Sequence, residues 1–103
     1  MGKTGLAVFC LLMSGLAQAD YDSDVAAMKK GMPKAVQSFI DRQVQCTHWG
    51  SEEAYDEARQ KEINAAGEKL QCKTLENDEV KLKKQYKSKP KVIKAINKAK
   101  VFY

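Results

Sequence analysis

From Val36 to Ala99 the apolar residues recur three and four positions apart and rarely alternate. Val36, Phe39, Ile40 and Val44 form one helical stripe, while Lys34, Asp41, Arg42 and Gln45 take the other faces. Pro33 suits the start of this helix, because its missing N–H would have no intrahelical partner there. The pattern predicts a helix from Pro33 to about Gln45, then a loop at Thr47–Gly50. Ser51 reads as the N-cap of a second helix, with Glu52 and Glu53 in its first turn. Its stripe is Tyr55, Ala58, Ile63, Ala66 and Leu70, weakened at Gly67 by about 1 kcal/mol relative to Ala. Thr74 or Asn77 can cap a third helix, on which Leu75, Glu79, Leu82 and Tyr86 share a face and Val80 lies nearby. Pro90 disfavours helical angles at Lys89 and ends it. Val92, Ile93, Ile96 and Ala99 then define a last amphipathic helix with an aromatic end. Upstream, Val25, Ala26 and Met28 support a turn of helix that Gly31 and Pro33 break. Period-two runs and Asn-Gly hairpin signals are missing, so the expected fold is all-α: a small bundle of three to four short helices.

Residues 1–19 change the picture. Lys3, the apolar run Leu6–Met13 and the ending Ala17-Gln18-Ala19 have the order of a secretory signal peptide. The run is shorter than the about 20 apolar residues needed to span a bilayer. Cleavage is expected between Ala19 and Asp20, leaving residues 20–103 as one helical domain in the periplasm or outside the cell. Cys10 would leave with the leader, so Cys46 and Cys72 remain and are expected to pair. Closing the loop 46–72 is worth roughly 3.5 kcal/mol in the chain-entropy model, a large share for a domain this small. The pairing sets a geometric condition. A straight helix over 52–71 would be about 30 Å long, whereas bonded cysteines have Cα atoms about 5.5 Å apart. The second helix is therefore expected to stop near Ala66 and Gly67, or residues 43–51 to run along it as an extended strap carrying His48 and Trp49.

Charge is unevenly spread. Residues 51–79 carry nine carboxylates and four basic groups, and residues 80–103 carry nine Lys and no carboxylate. Lys81, Lys83, Lys84, Lys87, Lys91, Lys94 and Lys98 define a basic surface. It suits either the acidic middle of the same chain or an anionic partner such as lipid headgroups or cell-wall polymer. Nucleic acid is not an expected partner, given export and a tail of Lys without Arg.

The densest chemistry is in QVQCTHWGSEEAYDEARQ, residues 43–60, which hold the chain's one His and one Trp. A metal centre is not expected: zinc sites need several N or S ligands at set spacing, and the carboxylates lack calcium-loop order. Nor is an enzyme. Cys46 is committed to the disulfide, the Ser residues lack a nucleophile-elbow context, and so small a chain has little room for a substrate cleft. No cofactor is implied. Trp49 can fill a corner between helices, His48 can bond a carbonyl or nearby carboxylate, and Tyr55 can pack near Trp49. The candidate binding face is His48, Trp49, Glu52, Glu53, Tyr55, Asp56 and Arg59.

The runs C-x-H-W (Cys46, His48, Trp49), E-E-x-Y-D-x-x-R (Glu52, Glu53, Tyr55, Asp56, Arg59), L-x-C-x-x-L-x-x-D (Leu70, Cys72, Leu75, Asp78) and Y-x-x-x-P-x-V (Tyr86, Pro90, Val92) resemble a group of small exported proteobacterial proteins. The third run is also similar to exported lysozyme-inhibitor proteins with a Cys-bearing helical domain. The resemblance implies compartment and fold, and no mechanism. The expected function is non-catalytic binding of an envelope protein, with an inhibitor or immunity-type role as one concrete form. The alternative is a basic protein that associates with anionic lipid or cell-wall polymer through its C-terminal helix.

Overall fold

The structure, a computed structural model, describes residues 22–102. The expected leader and its cleavage point lie outside the described residues. Those residues form five helices and no strand. Residues 22–29 are α1, Lys34–Ser51 α2, Glu57–Lys69 α3, Leu75–Gln85 α4 and Pro90–Lys100 α5, with a 3₁₀ turn at Cys72–Thr74 before α4. The chain is thus a small all-α bundle closed by the Cys46–Cys72 disulfide, with Cα atoms 5.7 Å apart. Gly31 turns α1 into α2 at φ 74°, a left-handed angle that Gly adopts without steric cost.

α2 is the central element. Val36, Phe39, Ile40 and Val44 are its buried residues, as the stripe requires. They meet Met28 of α1, Leu75 and Leu82 of α4, and Val92, Ala95, Ile96 and Ala99 of α5 in one apolar core. Val25, Met32, Cys46, Tyr86 and Phe102 pack against its edge. α5 therefore spends Val92, Ala95, Ile96 and Ala99 on the core, while Ile93 is half-buried beside it. Val80, by contrast, is 61% exposed.

α3 departs from this scheme, because none of its residues is buried. Only a half-covered stripe of Arg59, Ile63, Ala66, Gly67 and Leu70 marks its inner side. Apolar burial stabilises by roughly 25 cal/mol per Å², so a helix this exposed gains little from packing. Its attachment is polar at both ends and covalent just beyond its C-terminus, where Cys72 bonds Cys46.

The boundaries of α2 and α3 correct the expectation at several points. Thr47–Gly50 is helical rather than a loop, so no extended strap spans 43–51. The polar side chains there are satisfied without leaving the helix. The Thr47 hydroxyl donates to the Gln43 carbonyl at 3.0 Å, and the Ser51 hydroxyl to the His48 carbonyl at 2.8 Å. Ser51 closes α2 instead of capping α3. Asp56 caps α3, its carboxylate accepting from the Arg59 amide at 2.8 Å. Tyr55 lies before the helix and is 83% exposed, so it belongs to no apolar stripe. α3 also passes Ala66 and Gly67, ending at Lys69. The length conflict is removed by starting α3 at Glu57 and by extending α2 beyond Cys46, so that outward and return paths overlap. The reversal itself occurs at Gln71 (φ 55°, ψ 48°), the one non-Gly left-handed residue among the described positions.

Two outcomes follow from this packing. A Cβ added at Gly67 would meet no atom within 4 Å, so Gly67→Ala should stabilise by about 1 kcal/mol in denaturant unfolding. Cys72→Ala should release α3 before the core. Hydrogen exchange should accelerate across residues 57–69 while the α2 amides near Phe39 and Ile40 stay protected. Uniform acceleration of both would show that α3 and the core unfold as one unit.

Candidate functional site

Two polar clusters hold α3, one at each end. The first centres on Arg42, which lies one turn before Cys46 on the same side of α2. Its Nε donates to the Leu70 carbonyl at 2.9 Å, and its Nη2 to the Gln71 carbonyl at 2.9 Å and the Thr74 hydroxyl at 3.1 Å. Nη1 donates to Asp78 Oδ2 at 3.0 Å. One guanidinium thus joins α2 to the end of α3, the left-handed turn and the start of α4, beside the disulfide. The Arg42 hydrogen bond, with lesser help from Thr74, holds the Asp78 carboxyl below the usual carboxylate range against the opposing effect of burial. Thr74 occupies the N-cap position of α4 without a capping hydrogen bond of its own; its hydroxyl donates to the Gln71 carbonyl at 3.0 Å.

The second cluster is the α2–α3 corner. Trp49, in the last turn of α2, is half-buried. The Arg59 guanidinium lies over its ring, 5.3 Å from the centroid, and His48 meets it edge-on at 5.6 Å. Glu52 sits between Arg59 and His48: Oε2 is 3.3 Å from Arg59 Nη2, and Oε1 is 3.4 Å from His48 Nε2. Glu62 takes the other Arg59 nitrogen at 2.7 Å. The Glu62 hydrogen bond, followed by that of Glu52, raises the Arg59 pKa over the counteracting effect of burial. Arg59 joins Trp49, Glu52 and Glu62, and its planar fork suits both the carboxylates and the ring.

Of the expected binding face, the structure gathers His48, Trp49, Glu52, Asp56 and Arg59. Glu53 and Tyr55 are exposed on the connection between the helices. Tyr55, expected near Trp49, is instead turned out to solvent over most of its surface. Among the described residues no three His, Cys, Asp or Glu side chains come together as metal ligands.

The basic surface is only partly committed. Lys83 pairs with Glu79 at 2.8 Å and donates to Asn97 at 2.6 Å, and Lys100 reaches the same carboxylate at 3.0 Å. Burial pushes the Glu79 pKa up, but hydrogen bonds from Lys83 and Lys100 outweigh it, and the net shift is downward. Lys84, Lys87, Lys91, Lys94 and Lys98 are exposed and enter no ion pair among the described residues. On α5, Lys91, Lys94 and Lys98 form a stripe beside the core-facing residues. Since those apolar residues are already covered, α5 offers an anionic surface charge and not an inserting face. No helix among the described residues is long and apolar enough to cross a membrane.

Arg42 is the residue that the sequence pattern assigned only to a polar face. Its four-residue spacing from Cys46 was the available signal, because i and i+4 side chains point to the same neighbour. No protein-family model, curated protein or solved structure matches the chain.

The depressed carboxyls of Asp78 and Glu79 fix the sign of an acid effect. Their contribution is present above the unfolded carboxylate range, about pH 4, and is lost as pH falls through the lower folded values. Thermal melts should show a steep drop below about pH 4 that becomes shallower in an Asp78→Asn, Glu79→Gln variant. Trp49→Ala should destabilise by about 1–3 kcal/mol, the cost of losing a half-buried aromatic and its cation–π partner.

Proposed function

We propose that the protein is a non-catalytic binding module of an oxidising, extracytoplasmic compartment, and that it captures a protein partner through the α2–α3 corner. A disulfide is compatible with such a compartment. The observation that carries the reading is Tyr55, 83% exposed on the connection between α2 and α3, whose flanking helices hold the Trp49–Arg59–Glu52 cluster. Trp, Tyr and Arg dominate interface hot spots because they bring large contact areas at low entropic cost. Here the Trp and Arg are already held in place by one another and by two carboxylates. The connection that bears Tyr55 is short and anchored by Glu52 on one side and by the Asp56 cap on the other. An aromatic presented from a fixed backbone loses little freedom on binding. Blocking an envelope enzyme, as an inhibitor or immunity protein does, is a concrete form of this role. The leader expected at residues 1–19 would deliver the protein to the periplasm or beyond.

Tyr55 separates binding from folding. Tyr55→Ala should leave stability within about 0.5 kcal/mol, since so exposed a side chain contributes little to the core. A photo-crosslinking residue at position 55 should give one defined adduct in envelope extract, whereas the same group at Lys61 of α3 should not. The purified adduct partner should then bind the Tyr55→Ala chain at least about tenfold more weakly. Equal binding by both chains would sink the proposal, and so would turnover of a cell-wall substrate that a folded His48→Ala variant no longer supports.

A further inference from the structure

At the turns joining α1 to α2 and α4 to α5 the described surface opens into a cleft of about 630 Å³. Met32 and Pro33 line one side of it, and Tyr86, Pro90 and Val92 the other. Met32 and Tyr86 also pack on the core edge, and Val92 is buried, so this floor is apolar and backed by the core. Lys89 and Lys91 belong to the cleft wall, and Lys30, Lys34 and Lys87 adjoin lining residues in the chain. All five lysines are exposed, and none takes part in an ion pair among the described residues. No Asp or Glu lines the cleft. Both chain segments that build it, 25–40 and 80–102, are free of carboxylates altogether. The nearest acid along the second segment, Glu79, is consumed by Lys83 and Lys100.

An apolar floor rimmed by one sign of charge selects a ligand with the complementary division. A purely polar anion gains nothing from Met32, Pro33 and Tyr86, and a neutral apolar molecule leaves the cations uncompensated. We propose that this cleft binds a single anionic amphiphile, an alkyl chain carrying a carboxylate head. The chain lies on Met32, Pro33, Tyr86 and Pro90, and the head is held by Lys89 and Lys91. Burial of the alkyl chain provides the non-directional part of the affinity, and charge the orientation. The N-terminal turn of α5, opened by Pro90, adds its partial positive charge at the same place. The site is independent of the α2–α3 corner, with which it shares no residue.

Sodium laurate below its micelle concentration is the probe, titrated into the oxidised chain with methyl and aromatic NMR as the readout. Saturable shifts confined to Met32, Tyr86 and residues 88–92 are expected. Acetate, which has the head alone, and dodecyl maltoside, which has the tail without the charge, should give no saturation in the same range. Lys89→Glu with Lys91→Glu should weaken laurate about tenfold, whereas Lys81→Glu with Lys84→Glu, an equal change of net charge, should alter it less than about twofold. If charge reversal disturbs folding, Lys89→Ala with Lys91→Ala should still weaken laurate more than the matching Lys81, Lys84 alanine pair. The proposal is overturned by shifts spread along the whole α4–α5 lysine face, or by equal weakening in both pairs. It is also overturned if vesicles of mixed phosphatidylcholine and phosphatidylglycerol bind the chain while laurate does not. That last result would mean a membrane surface reads the lysines.

Discussion

The Cys46–Cys72 bond is the constraint on which the shape of the molecule depends. α3 buries no side chain, so the hydrophobic effect that assembles α1, α2, α4 and α5 gives it little reason to stay. The cross-link makes its return obligatory, because residues 47–71 must leave α2 and come back to within 5.7 Å of their departure point. In the entropic account a disulfide acts by restricting the unfolded chain, and it does not need to win a contest of contacts in the folded one. A thin, polar helix can then be carried on a small core that could not hold it by packing.

Arg42 complements the bond in the folded state. The disulfide joins two points, and leaves the chain between Leu70 and Asp78 free to turn in several ways. Four hydrogen bonds donated by one guanidinium choose among them, to the carbonyls of Leu70 and Gln71, the Thr74 hydroxyl and the Asp78 carboxylate. This explains how Gln71 is kept in a left-handed conformation that costs a non-Gly residue about 1–2 kcal/mol. The other cross-helix ion pairs are partly exposed and individually weak. Lys29–Asp41 ties α1 to α2, and Glu79 ties α4 to α5. α3 balances three carboxylates (Glu57, Glu62, Glu68) with three basic groups (Arg59, Lys61, Lys69), so it has no net charge to offset the lysines of α4 and α5. The positive surplus of that face is set by residues 80–103, which hold nine Lys and no carboxylate.

The binding readings follow from where side chains remain after the core has been satisfied. The α2–α3 corner keeps an exposed Tyr55 on the connection between two helices whose Trp49 and Arg59 are paired with each other. The opposite kind of surface, an apolar floor under unpaired cations, occurs where two tight turns meet. The apolar face of α5 is otherwise occupied by the core; only Val92 at its start reaches the cleft.

Much of the framework was legible along the chain. Val36, Phe39, Ile40 and Val44, and then Val92, Ile96 and Ala99, could be assigned to buried faces because helical periodicity is a local property. The cysteine pair was legible by count and context. By themselves, then, the residues determined an all-α bundle, the two strongest core stripes and one cross-link. Only the tertiary structure decided the rest. Thr47–Gly50 looks like a loop, but the helix continues because its polar groups find partners within it and Trp49 finds one on α3. Tyr55 fits an apolar stripe by spacing and yet stays exposed, because α3 begins only at Glu57, and Val80, beside the α4 stripe, stays exposed as well. Arg42 looked like a solvent-facing cation, and became the centre of a clamp once residues 70–78 were brought beside it. Spacing within a helix is written in neighbouring residues, whereas the choice of which face meets which partner is made between segments far apart in the chain.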